Sequence, residues 1–564
     1  MRITLNHYMK LFHSATALKL ASIAVLGGSI AAFALPAPAL ADGVAVSGGE
    51  ATGQGGDGTM SAVARRAMTR GALPASDADV AAKAAANAAV SAAMASQSAG
   101  PEARGSQSGP NVPVVASGFS GQVDAGVSPP DTFGATGPTR YVQTVNRRVG
   151  IYSRTSAVPI SGSTLNALTG FGTANVFDPQ IIWDATTNRF YYAADAVVSS
   201  SDNRIAFGFS KSASPNSTAD FCKYFLNYGA KFPDYPKLGD NSFFMLIGVN
   251  NFQPSFVGSD IIAIPKPVGT AAIATCPTFA ALTGGRQRVF ANIKNTGGTQ
   301  LVFTPTPANS IDNNTFGYVI ARNLTLPSTQ LWISPVSGTL GGIPAISPTR
   351  TVTVPSYTFP PDATQPAFPG PVAAPRLDTL DARPWQAILS LNPLRSSLPS
   401  LWTQHTVANG ATASMLRYYE IRPSVNPPIV LRTGVVASSS TTFLFNGAIS
   451  SNRRVGIATT GGSFVIGYNV SSSTIPARIV AGSSVNGGAL SFVAIKFGAG
   501  PYRDFTCPSA ANTCRWGDYA SATPDPLPTG GAASAVGLTH QYSKGGTMPT
   551  SSGNWTTWIY HVRP

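Results

Sequence analysis

Acid is scarce in this sequence, glutamate above all. The 564 residues hold 24 Asp and Glu, and only Glu50, Glu102 and Glu420 are Glu. Glu420 alone lies in the strand-rich part, so a glycosidase working with two Glu is excluded. One using two Asp, or an Asp with a Tyr–Glu couple, is not. Past residue 41 the only histidines are His405, His540 and His561, and the four cysteines form no Cys-x-x-Cys. A zinc or haem site therefore has no ligand set to build from. No Gly-x-Ser-x-Gly turn occurs, and His405 has no Ser or Cys in a nucleophile turn beside it. Gly-rich stretches such as Gly297-Gly298 lack the strand–loop–helix frame that cradles phosphate. Beyond the N-terminal region no apolar run is long enough to cross a bilayer.

Charged residues are 11% of the chain, well under the roughly one quarter of an average soluble protein. Ser, Thr, Asn, 56 Gly and 45 Pro fill the difference and supply many turns, the profile of an extracellular all-β protein. The net charge of +14 is spread thinly, with no Lys/Arg run interleaved with aromatics, so no nucleic-acid partner is expected. An anionic glycan or an acidic cell surface suits such a protein; charge that only aids solubility is the alternative.

The N-terminus has the form of an export signal, residues 1–41. Lys10 and Lys19 precede the apolar stretch Leu20 to Leu35, and Ala39-Leu40-Ala41 gives a small-x-small cleavage pattern. The expected location is secreted, periplasmic or cell-surface, with no membrane span after cleavage. Export suits disulfides. Four cysteines allow three pairings, and the local one, Cys222–Cys276 with Cys507–Cys514, is expected.

Residues 42–115 are rich in Ala, Gly and Ser with few large apolar side chains, and read as a disordered, low-complexity linker. Within it Ser76-Asp77-Ala78-Asp79 resembles a capping box ahead of an Ala-rich run, so part of the tether has helical character. From 116 to 564 short strands alternate with turn chemistry. The clearest unit is Phe177 to Ala194: Asp178-Pro179 turns the chain, Ile181-Ile182-Trp183 forms a strand core, and Phe190 opens an aromatic strand. Similar units recur about every fifty residues, with a Pro-rich surface loop at 335–375. Six to seven such units without helical periodicity predict a single all-β propeller, seven blades preferred, since each blade needs a neighbour on both sides. A row of β-sandwiches is the competing arrangement.

Asp131-Thr132-Phe133-Gly134, Asp178-Pro179-Gln180, Asp234-Tyr235-Pro236-Lys237-Leu238-Gly239 and Arg515-Trp516-Gly517-Asp518-Tyr519 resemble motifs of secreted bacterial β-propellers of the sialidase-like, BNR-repeat type, a group mostly without assigned activity. The resemblance covers roughly 120–564. It departs from sialidases in lacking an Asp box, Ser-x-Asp-x-Gly-x-x-Trp.

Asp131, Asp178, Asp234, Asp381 and Asp518 each sit near the start of a β unit. In a propeller these starts meet around one channel mouth, where carboxylates suit sugar hydroxyls or a structural Ca2+; no other cofactor is expected. The competing role for each Asp is to cap its own turn. Arg383, Arg453 and Arg515, with Arg454 beside them, lie in comparable loops and suit a carboxylate or sulfate, or else brace neighbouring blades. Tyr235 and Trp516 suit sugar stacking or blade packing. Tyr418 and Glu420 share a strand face and read as strand residues. The expected function is non-catalytic binding of a glycan or other surface polymer by a monomer. The alternative is a sialidase-like propeller hydrolase or lyase acting on an anionic polysaccharide.

Overall fold

The computed structural model describes residues 41–70, 73–95, 111–368, 374–507, 513–527, 534–545 and 554–564. Residues 1–40, nearly all of the expected export signal, lie outside them. The described chain is mostly β and propeller-like, built from four-stranded antiparallel meanders. Meanders 1 to 3 span 133–164, 175–229 and 232–290. Meanders 4 to 6 span 302–357, 387–436 and 443–496. Meander 7 takes three strands from 521–563, and its outer strand, Val114–Ser120, comes from the other end of the chain.

The first strand of each meander packs beside the first strand of the next, and that of meander 7 returns to meander 1. Meanders 4 and 5 are further joined by parallel pairing of Ala308–Ser310 with Ala387–Leu389. This placement explains the hydrophobic pattern. Asn175–Asp184 is buried at nearly every position, because an inner strand has a sheet on either face. The outer strand Pro159–Thr164 alternates half-buried and exposed residues, as one-sided burial requires. The aromatic strands of meander 2 anchor the largest apolar cluster, shared with meanders 1 and 3.

Each first strand carries a kink, within its first four residues in meanders 2, 3, 4 and 6 and two to five residues ahead of it in meanders 1, 5 and 7. The residues there, Asp131, Asp178, Tyr235, Thr304, Ala382, Asn446 and Gly517, all have positive φ. In meanders 2, 3, 4 and 6 the ladder register slips at this point, the mark of a bulge. Pro179, Pro236 and Pro305 follow directly, where a missing N–H breaks no ladder bond.

Two stretches differ from the sequence reading. Residues 345–346 and 350–357, inside the expected Pro-rich loop, are strands pairing with Ser328–Ser337. The alternation Thr351-Val352-Thr353-Val354 forms the strand, and Pro355 is tolerated because this strand lies at the outside of meander 4. The stretch expected as a tether contains two helices, α1 (Ala62–Arg70) and α2 (Asp77–Ala95), and Gly48–Glu50 pairs with meander 2. Met60, Val63, Ala64, Ala67 and Leu73 are buried against Phe177, Phe232, Phe252 and Phe303. Helix α2 docks mainly through polar groups at helical spacing. Asp79 meets Arg322 at 2.6 Å, Lys83 meets Asp362 at 2.7 Å, and Asn87 donates to the same carboxylate. Counting apolar residues alone misses a helix held in this way.

Disulfides join Cys222 to Cys276 and Cys507 to Cys514. No helix among the described residues is long and apolar enough to cross a membrane.

Candidate ligand site at the strand starts

The kinked starts bring most of the expected site residues together. Asp131 accepts the Asp518 backbone N–H at 2.7 Å and the Asn146 amide at 2.5 Å. Asp178 accepts from the Tyr519 hydroxyl at 2.9 Å. Tyr235 donates its hydroxyl to the Asp518 carbonyl, and its ring stacks on Tyr519 with centroids 4.8 Å apart. The Lys237 ammonium lies 3.9 and 4.1 Å from these two ring centres and donates to the Trp385 carbonyl. Asp381 is chelated by Arg383 through two bonds of 2.7 Å, with Arg322 at 3.3 Å on its far side. Arg515 pairs with Asp518 at 3.0 Å.

Two expected members lie elsewhere. Arg453 is held by Asp312 at 2.8 Å and by the carbonyls of Ile457 and Thr460. Trp516 points into the core against Tyr502 and Phe445, donating to Asn469. Glu420, the single Glu within the seven meanders, is buried and bonded to Asn392, Ser400 and Arg395, with Arg432 at 3.6 Å.

The mouth is covered by its own chain. Arg515 donates to the Met68 carbonyl at 2.9 Å and Arg383 to the Leu73 carbonyl at 3.0 Å, while the Leu73 N–H reaches Asp234 at 3.3 Å. Every expected site residue is buried, those at the mouth beneath this cap and Arg453 and Trp516 in their own surroundings. Burial dominates the acid–base behaviour. It raises Asp178 to about 7, helped by the charges of Asp234 and Asp518. It raises Asp234 to about 7 as well, against the pull of Arg383. Asp131 and Asp195 are pushed up by the same loss of water. Lys237 is pushed down, first by burial and then by Arg383. Asp381 behaves oppositely: burial opposes its charge, but Arg383 and Arg322 hold it well below the usual carboxylate range.

Asp195, Lys237, Arg322 and Tyr519 belong to the mouth and escape the sequence reading. Lys237 and Tyr519 lie inside two of the recognised strand-start motifs. Asp195 carries a subtler signal. On the second strand of meander 2 it pairs with Phe177, the residue before a kink. The residue so placed in meander 3 is Asn250, and in meander 6 Asn469. Asn146 stands at the same point of meander 1, its N–H bonded to the Pro130 carbonyl. Aligned by their kinks, meanders 1, 3 and 6 carry an amide here and meander 4 carries Arg322, while Asp195 is the carboxylate.

No protein-family model matches the sequence, and no curated protein matches it. Among solved structures the chain is similar to a protein of unknown function from Dyadobacter fermentans, at 9% identity and a TM-score of 0.33, over 69% of this chain and 95% of that one. It is also similar to the catalytic domain of a GH62 α-L-arabinofuranosidase from Coprinopsis cinerea, at 11% identity and a TM-score of 0.25, over 58% and 89%. An exo-β-1,3-galactanase from Clostridium thermocellum aligns at 10% identity and a TM-score of 0.27, over 68% and 86%. TM-scores of this size do not establish a common fold.

Proposed function

We propose that this chain is a secreted, monomeric, seven-bladed β-propeller that binds a glycan or other surface polymer at the mouth formed by its strand starts, without catalysis. The seven meanders are its blades, and the strand Val114–Ser120 closes the ring by completing the last one. Two disulfides fit an oxidising, extracytoplasmic setting. A hard cation such as Ca2+ suits the mouth's carboxylates.

One observation carries the reading. The cap meets Arg383, Arg515 and Asp234 through backbone groups, two carbonyls that accept from the arginines and one N–H that donates to Asp234, while the Asp79 side chain pairs with Arg322. Sugar hydroxyls or a uronate can take over such bonds one for one, because guanidinium and carboxylate groups recognise them by the same hydrogen bonding. A polymer would thus replace the cap rather than require a vacant pocket. Catalysis has weaker support, since Asp131, Asp381 and Glu420 are fixed by N–H and guanidinium donors and reach no open cleft.

The test is a glycan array on the mature protein, beside Lys83→Ala, which loosens α2 without touching the mouth. The expected result is polymer binding that strengthens in Lys83→Ala. No binding by either protein would overturn the reading, and release of reducing sugar by either would replace it with the hydrolase or lyase.

A further inference from the structure

In meanders 1 and 3 one repeated position has a defined task. In meander 1 the Asn146 amide oxygen accepts the backbone N–H of Asp178, the kinked residue of the next meander, at 2.9 Å. In meander 3 the Asn250 amide oxygen accepts the N–H of Thr304, again the next kink, at 2.8 Å, and its NH2 donates to the Thr304 hydroxyl. In these two meanders the join takes an uncharged amide; in meander 4 the same position, opposite Phe303, is Arg322. In meander 2 the residue is Asp195, 1% exposed. The N–H of Tyr235 faces it, yet neither carboxylate oxygen closes a hydrogen bond. A carboxylate here serves the fold no better than an amide, and burying one without a partner is costly.

The oxygens of Asp195 point at company of the same sign. One oxygen each from Asp178, Asp195 and Asp234 lie within 4.8 Å of one another, and all three residues are buried. Asp234 also has an oxygen, Oδ1, without a partner. The nearby cations are engaged elsewhere: Arg383 with Asp381, Arg515 with Asp518, and Lys237 with two aromatic rings and the Trp385 carbonyl. Six carboxylates at the mouth, Asp131, Asp178, Asp195, Asp234, Asp381 and Asp518, face three bases, Lys237, Arg383 and Arg515, while Arg322 is matched by Asp79. The surplus negative charge is concentrated where the unpartnered oxygens are.

We propose that Asp178, Asp195 and Asp234 form a binding site for one hard divalent cation, Ca2+ in class, buried between the starts of meanders 2 and 3. Three carboxylates from three different strands supply an all-oxygen donor set without sulfur or imidazole, which suits Ca2+ and disfavours zinc and copper. The irregular coordination that Ca2+ accepts matches ligands placed by a bulge rather than by a dedicated loop. The ion locks two neighbouring strand starts together, doing in meander 2 what an amide does in meanders 1 and 3. The site does not depend on the polymer reading: a cation can bind here whether or not a glycan does.

The test uses the full mature chain. Protein as purified is analysed for bound metal, then unfolded in EDTA, refolded and titrated with CaCl2, with MgCl2 in parallel, by calorimetry. The expected result is one equivalent of Ca2+ per chain. Asp195→Asn, which restores the residue type of the equivalent positions in meanders 1 and 3, is expected to fold and to lose at least the roughly 10-fold in affinity that removal of even an outer partner of a metal costs. Wild-type protein that carries no metal and binds neither ion overturns the proposal and leaves the three carboxyls sharing protons. Asp195→Asn that binds Ca2+ as tightly as wild type overturns it too. Should Asp195→Asn not fold, the metal content of the wild type decides by itself.

Discussion

The two halves of the mouth share one backbone device and treat charge in opposite ways. At the start of meander 5, Asp381 is buried, but Arg383 grips both its oxygens and Arg322 links it to Asp79 of helix α2. At the starts of meanders 2 and 3, Asp178, Asp195 and Asp234 are equally buried and meet one another instead. The kink, the burial and the packing are common to both halves, so none of them explains the difference. A matched network accounts for itself as structure. An unmatched one needs a component from outside the chain, a proton or a cation.

The largest effect is expected from breaking the matched half. Arg383→Met leaves Asp381 buried with half of its partners and should lower unfolding free energy by about 3–5 kcal/mol, read from denaturant midpoints. A loss under about 1 kcal/mol would mean that the pairing is not what holds this half.

Acid gives the next effect. His405 lies beneath the matched half and is neutral: the Ala382 carbonyl can only accept, so Nδ1 carries the proton and Nε2 accepts from the Tyr419 hydroxyl. Burial pushes its pKa down to about 3, with Arg417 and Arg322 adding to the effect. The unfolded chain takes up a proton near pH 6.5 and the folded one does not, so stability present above that pH is lost as pH falls towards 3. Relative to His405→Gln, the wild type should lose about 1.4 kcal/mol per pH unit between pH 6 and 4, measured by denaturant titration. Parallel pH profiles for the two proteins would contradict this.

Smaller still is the effect of loosening the cap. Lys83→Ala removes an ion pair to Asp362 and bonds to Thr379 and the Leu380 carbonyl, a cost of about 1–2 kcal/mol for a partly exposed lysine. Limited proteolysis should then cleave first within 42–113, ahead of the sheets. Smallest of all is the loss from Asp195→Asn without metal: none is expected, since an amide fills the equivalent positions of meanders 1 and 3 and the buried carboxylate it replaces has no partner. A loss of several kcal/mol would show that the carboxylate has a structural partner and would dissolve the contrast between the halves.

The strand-and-turn pattern was legible because it is local. Asp178-Pro179 and Asp234-Tyr235-Pro236 announce a kink and a strand within a few residues, and the strand starts were expected to converge. Partnership was legible only where it is local, as in Asp381–Arg383 and Arg515–Asp518. Elsewhere it is remote in sequence: Arg322 meets Asp381 across 59 positions and Asp79 across 243, and Arg453 is held away from the mouth by Asp312, 141 positions off. The helical character of α2 was legible from Ser76-Asp77-Ala78-Asp79 and its Ala-rich run, but its docking escaped, since Asp79, Lys83 and Asn87 dock by charge and hydrogen bonding where only apolar residues were counted. Asp195 was hidden in a strand of aromatic and small residues and stands out only once the meanders are aligned by their kinks.

The most direct test of the unmatched half is thermal unfolding of EDTA-treated protein with and without added CaCl2, for wild type and Asp195→Asn side by side. Occupancy of a site present only in the folded state raises the midpoint as ligand concentration exceeds its Kd. The account predicts a Ca2+-dependent rise in the wild type and none in Asp195→Asn. An unchanged wild-type midpoint, or an equal rise in both proteins, would contradict it.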